Sequence, residues 1–297
     1  MTFNEGGSFE GGRVGTRRGG GRGVAIGGGA GVLGIAVFLI AQFTGVDLSP
    51  VLNGAQGGGG ASQEEQGTIG ECTVEEANTN RECRLSATMQ SLDAYWAEAL
   101  PAAGGQFAAP EAWIFEEATT TACGNATSST GPFYCPPDQS IYLDLGFFDL
   151  LESRFGATGG PLAEMYVEAH EYGHHIQNIT GVMDSADRQG AGAESDSVRV
   201  ELQADCYAGL WAGHAATTED PDRPGTTFLA PPTEAELADA LSAAEAVGDD
   251  HIQEQSGGSV NPHTWTHGSS EQRQQWFMRG YTDGTIAACD TFSAADL

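Results

Sequence analysis

The sequence predicts an α+β fold, mostly helical with a small sheet, preceded by one transmembrane helix. Three observations carry this. Apolar residues recur at helical spacing over 71–100, again from Met165 to Ile176, and again from Val198 to Trp211. Two shorter stretches, 106–117 and 139–145, read as strands. A run without charge from Gly23 to Val46 is long enough to cross a bilayer.

The chain divides accordingly. Residues 1–23 are Gly- and Arg-rich without apolar periodicity and read as a disordered cytoplasmic tail. Residues 24–46 form the span, with its heart at Val32–Ile40. Arg13, Arg17, Arg18 and Arg22 precede it, so the N-terminus is expected in the cytoplasm and the rest outside. A cleaved signal peptide is the rival, but the run is long and no clear A-x-A site follows. Residues 47–70, with Gly57–Gly60, form a flexible linker. Residues 71–297 form one extracytoplasmic domain, ample for a buried core.

The 297 residues carry 12 cations, all arginine, against 41 acids, a formal charge of −29. That balance excludes nucleic acid as a partner, because phosphate neutralisation needs a basic face. A solvated, soluble surface explains the acidity. Six cysteines with two close pairs suit a disulfide framework on an oxidising side of a membrane. The expected pairs are Cys72–Cys83, Cys123–Cys135 and, by elimination, Cys206–Cys289.

Within the domain, 71–100 reads as a helix with apolar spacing from Val74 to Leu100. Residues 106–117 hold Phe107, Trp113, Ile114 and Phe115 and read as a strand. Thr119–Thr130 is a small polar loop, clipped by Cys123–Cys135. Gln139–Leu145 alternates like a strand, and Phe147–Phe155 looks helical. Pro161 suits the first turn of the next helix. A second helix surrounds Glu201. Thr217–Pro232 is a Pro- and Asp-rich loop. Thr233-Glu-Ala-Glu236 is a capping box that opens a helix to about Val247. A flexible loop spans Ser256–Pro262, and a final helix runs through Trp276, Phe277 and Tyr281.

The chemistry centres on His170-Glu171-Tyr172-Gly173-His174, an H-E-x-x-H pattern. Positions four apart share a helix face, so His170 and His174 point two imidazoles at one ion. Glu171 lies about 100° round the helix, where it reaches a water on that ion as general base without being a ligand. A catalytic zinc needs a third protein ligand and one open position. Gln177 and Thr180 stand where a metzincin pattern needs Gly and His, which excludes that subclass. Glu201 is the expected third ligand. Asp205, four residues on and on the same face, is expected to accept the second ring N–H of a liganding histidine. Both are charged residues in an otherwise apolar segment. Glu194, Asp196, His214 and His175 are competing third ligands, each less well placed.

These motifs resemble a bacterial family of membrane-anchored neutral zinc metallopeptidases. The shared stretches are Cys123 with Gly131–Pro136, Ile141–Leu145, His170–His175, Glu201–Asp205, Val247–Asp250 and Ser270–Arg273 with Trp276–Phe277, within roughly residues 70–290. The resemblance implies a zincin fold and peptidase chemistry. In zincins an edge strand above the active-site helix commonly binds substrate backbone. Residues 139–145 are assigned that role, with an ordinary sheet strand as the alternative. His267 is weighed as a catalytic group that stabilises the oxyanion, against a capping or surface histidine. Arg273 is read as pairing with surface acids in preference to an active-site carboxylate.

The expectation is a membrane-tethered, zinc-dependent, gluzincin-like hydrolase acting on a peptide or protein substrate. The alternative is a non-hydrolytic zinc-binding module for envelope assembly or interaction. Any internal repeat is absent from the sequence.

Overall fold

The computed structural model describes residues 1–19, 64–128 and 130–297. Strands β1 (Ser8–Phe9), β2 (Gly15–Gly19), β3 (Glu64–Thr68) and β4 (Cys72–Thr73) precede helices α1 (Val74–Thr79) and α2 (Arg81–Ala102). Five strands follow: β5 (Glu111–Glu116), β6 (Ala118–Thr121), β7 (Gly124–Thr127), β8 (Phe133–Cys135) and β9 (Ser140–Asp144). Helices α3 (Leu145–Ser153), α4 (Pro161–Ile179), α5 (Val182–Ser185), α6 (Asp196–His214), α7 (Glu234–Ala246), α8 (Asp249–Gln255) and α9 (Ser270–Asp283) complete the order. The architecture is mixed α/β, about half helical with small sheets.

Local chemistry accounts for most boundaries. The single helix expected over 71–100 is two helices, because Asn80 adopts an extended conformation and its side chain accepts from the Cys83 N–H, capping α2. Helix α7 opens on the Thr233/Glu236 capping box, with both reciprocal hydrogen bonds formed. The polar loop over Thr119–Thr130 contains the β6–β7 hairpin. All three expected disulfides are present.

The main sheet has the order β3-β2-β5-β9-β8, with β2, β5 and β9 parallel and the two outer strands antiparallel to their neighbours. The assignment of 139–145 as the exposed edge is therefore corrected. β9 is hydrogen-bonded on both sides and wholly buried. The edge that faces the central helix is β8, where the Tyr134 hydroxyl meets His175 and Asn178 of α4.

The disordered tail expected over 1–23 is corrected for residues 1–19. β2 is an internal strand, and Phe3, Phe9 and Val14 are buried in the core. Apolar periodicity missed this segment because its docking depends on backbone pairing and three isolated apolar anchors. The sheet thereby joins residues 1–19 to the domain. The expected span over 24–46 lies outside the described residues. Among the described residues, no helix is long and apolar enough to cross a membrane.

The core is built where glycine lets helices touch. A Cβ on Gly173 of α4 would lie 3.0 Å from the Ala204 Cα of α6, so the absence of a side chain sets how closely these helices cross. Gly209 of α6 faces the Phe277 carbonyl of α9, and Gly280 of α9 faces the Cys206 carbonyl of α6; a Cβ at either position would collide with that backbone. The Cys206–Cys289 bridge then ties α6 to the C-terminal turn.

Candidate metal centre

Helix α4 carries His170, Glu171 and His174, all buried, and α6 carries Glu201 and Asp205. The Gly173–Ala204 contact brings the two helices close beside these residues. One ligand atom from each of His170, His174 and Glu201 lies within 4.8 Å of the others. The Glu201 carboxylate lies 3.2 Å from His170 Nε2 and 3.6 Å from His174 Nε2. Its Oε1 is buried and has no hydrogen-bond partner among the described residues. A buried carboxylate oxygen left in this state beside two imidazoles fits a divalent cation, whose coordination would satisfy it.

Each imidazole is oriented through its other nitrogen. His170 Nδ1 stands 2.8 Å from Asp205, and His174 Nδ1 stands 2.8 Å from the Gln177 side-chain oxygen. Gln177 in turn donates to the Val200 carbonyl and to Gln203. Such partners fix ring orientation and tautomer. Asp205 also accepts from the Tyr166 hydroxyl at 2.6 Å and from two nitrogens of Arg273. Arg273 is thus not a surface residue paired with surface acids, as expected from the sequence: it is buried against Asp205.

The charges respond to this burial. Desolvation would raise the Glu201 carboxyl, but His174 and His170 hold it down at about 2. Burial favours neutral His174, lowered to about 4. Burial alone would lower His170, yet Asp205 outweighs it and raises the ring to about 9. Glu171 is pushed up to about 7, chiefly by burial, and accepts a hydrogen bond from the Tyr134 backbone N–H of β8. That value suits a group that must take and return a proton near neutrality.

His267 lines the same cleft. Its Nδ1 stands 3.2 Å from Asp249 Oδ1. The other Asp249 oxygen accepts from three successive backbone N–H groups, at Thr266, His267 and Gly268. The cleft holds about 690 Å³ of space, part of it open to solvent. Its lining combines the apolar Phe147, Phe155, Val167, Val247 and Ile252 with the charged groups of the cluster.

The competing ligands lie elsewhere. His175 bonds the Ala108 carbonyl and Tyr134, His214 the Leu210 carbonyl, Glu194 pairs with Arg199, and Asp196 accepts from the Asp187 N–H. Sequence reasoning missed the roles of Gln177, Tyr166 and Asp249. The signal available for Gln177 was a polar residue one turn from His174 in an apolar run, and for Asp249 its place in Val247-Gly-Asp-Asp250, a stretch to which no role was attached.

Residues 4–292 match the family described as "Putative neutral zinc metallopeptidase", and the chain belongs to that family. It is 50% identical over 225 residues to the uncharacterized protein Rv2575 of Mycobacterium tuberculosis, covering 76% of this chain and 75% of that one. The uncharacterized protein Mb2605 of Mycobacterium bovis matches to the same extent. The uncharacterized protein YpfJ of Escherichia coli is 36% identical over 267 residues, 88% of this chain and 86% of its own length. No solved structure matches.

Proposed function

We propose that this member of the neutral zinc metallopeptidase family hydrolyses peptide bonds, with His170, His174 and Glu201 holding zinc and Glu171 acting as general base. The three disulfides support an oxidising, extracytoplasmic compartment for this reaction. The single observation that carries the reading is the convergence of three donor atoms within 4.8 Å beside a carboxyl raised to about 7.

Zinc in that position would acidify a water and polarise the scissile carbonyl. The chain's residues do the rest. Glu171, held by the Tyr134 N–H, takes the proton from the attacking water and returns it to the leaving amine. His267, oriented by Asp249, donates to the developing oxyanion. The β8 edge offers its free side for a substrate strand, and Gly131, Pro132 and Phe133 line the cleft beside it. Among the described residues the cluster offers three protein donors, so a tetrahedral ion held there would keep one position for water, whereas a purely structural site is closed by a fourth protein ligand.

The test is Glu171→Gln, assayed on a fluorogenic peptide mixture with and without chelator, alongside elemental analysis. Zinc content should persist at wild-type stoichiometry while turnover falls by at least about 100-fold. A wild-type protein that binds zinc and cleaves nothing in the mixture would leave the interaction-module reading in its place.

A further inference from the structure

The geometry points to a side-chain subsite in the cleft that selects a bulky apolar residue, aromatic or branched aliphatic, next to the bond to be cleaved. The subsite rests on the peptidase reading for its reaction, while its chemistry stands on the cleft walls.

Five apolar side chains line the cleft together with the metal cluster: Phe147 of α3, Phe155 just beyond it, Val167 of α4, Val247 at the end of α7 and Ile252 of α8. Val167 precedes His170 by three residues and Glu171 by four. It therefore lies one turn along the same face of α4 as the groups that would act on the bond. Phe147, Phe155 and Val167 are buried, whereas Val247 and Ile252 are half-buried and can be reached from the cleft. Ligand sites commonly combine a mostly apolar wall with a few placed polar groups in this way.

The wall is held from behind. Gly131 adopts a φ of +73° and brings its backbone so close to Phe147 that a Cβ would stand 3.0 Å from the ring. Arg273, whose other nitrogens grip Asp205, donates through Nη1 to the Val247 carbonyl at 3.2 Å. His251 Nε2 stands 2.8 Å from the Phe155 carbonyl, which only accepts, so the ring nitrogen is the donor. That bond joins α8 to the segment after α3. Because Ile252 follows His251 directly, it also holds Ile252 in place relative to Phe155.

The charges in the cleft decide what is refused. Glu171 and Glu201 are both carboxyls, and the lining arginine, Arg273, is already committed to Asp205. An acidic side chain seated among the apolar groups would lose its water without gaining a cation, and an ammonium would find nothing there to accept its hydrogen bonds. A small side chain would fit but leave the apolar walls wet. An aromatic or branched side chain buries against Phe147, Phe155 and Ile252 and gains most from the transfer.

The test uses the full-length, zinc-loaded chain and hydroxamates that carry one zinc-binding group on different tails: acetohydroxamate, phenylpropionohydroxamate and the monohydroxamate of succinic acid. Titration calorimetry reads their affinities without turnover. The phenyl probe should bind at least about tenfold more tightly than acetohydroxamate, and the succinic probe no more tightly than acetohydroxamate. Equal affinities, or a preference for the carboxylate, would overturn the inference. Ile252→Lys sets an ammonium in the wall and should reverse the order of the phenyl and succinic probes; an unchanged order would overturn the placement of the subsite. His251→Ala should lower the ratio of phenyl to acetyl affinity, and His251→Gln, which keeps a side-chain N–H donor, should restore it. A ratio that His251→Ala leaves unmoved would remove His251 from positioning the wall. Peptides with Phe, Ala or Asp on either side of the cleaved bond should rank in that order by kcat/KM. A phenyl preference in binding with no peptide cleaved would keep the subsite and remove the peptidase reading. Cleavage indifferent to these residues, with hydroxamates of equal affinity, would do the reverse, and no binding by any probe would overturn both.

Discussion

Arg273 grips Asp205 through two nitrogens, Nε at 2.8 Å and Nη2 at 2.9 Å, with both residues buried. Asp205 is the residue that also meets His170, so a helix 68 positions downstream sets the orientation of a metal-facing imidazole. Replacing Arg273 with Gln leaves that carboxylate buried without its cation. Breaking a buried pair in this way costs about 3–5 kcal/mol, and loss of an outer partner lowers metal affinity about 10–100-fold. Urea unfolding and competition against a zinc chelator read the two effects separately. A variant with wild-type affinity and stability would remove Arg273 from this role.

Gly173 permits the approach of α4 to α6. Gly173→Val adds three carbons where a single Cβ is already 3.0 Å from Ala204. The helices must part, and Glu201 moves away from the histidines. Zinc affinity should fall by at least about tenfold, in line with misplaced ligands, while far-ultraviolet dichroism stays near wild type. Unchanged affinity would show that some other contact sets the crossing.

The metal-free protein should lose stability at both ends of the pH scale. Glu201 titrates at about 2 when folded, below its ordinary 4.5, so its contribution is present above about 4.5 and is lost as pH falls toward 2. His170 titrates at about 9, above its ordinary 6.5, so its contribution is complete below 6.5 and is lost as pH rises through 9. Urea midpoints of chelated protein across pH 3–10 measure this. Glu201→Gln should flatten the acid arm, and a variant whose acid arm stays as steep would assign it to other carboxylates.

The Cys206–Cys289 bridge closes the longest loop of the three, with a sequence separation of 83. Replacing both cysteines with Ala should cost about 2–5 kcal/mol of unfolding free energy, more than the same change at Cys72–Cys83 or Cys123–Cys135. Equal losses at all three bridges would argue that local packing outweighs chain entropy here.

Much of the metal cluster was legible in the chain itself. The spacing of His170 and His174 follows from the helix period, which is a local property. Glu201 and Asp205 stood out as charges in an apolar run, a pattern that has to be satisfied by some partner. Cysteine count and closeness anticipated the bridges. The substrate edge was misplaced by one strand because alternation identifies a strand but not its neighbours, and only the register shows β9 inside and β8 outside.

By itself, then, the sequence determined which side chains are candidate metal donors, which helices carry them and which cysteines are close enough to join, since helical periodicity and chain proximity are written locally. Tertiary structure alone decided that Arg273 holds Asp205, that Asp249 aims His267, and that residues 1–19 are part of the sheet. The physical reason is that each of these depends on groups brought together across long stretches of chain by backbone pairing and close helix packing, and neither leaves a periodic mark on the residues that take part.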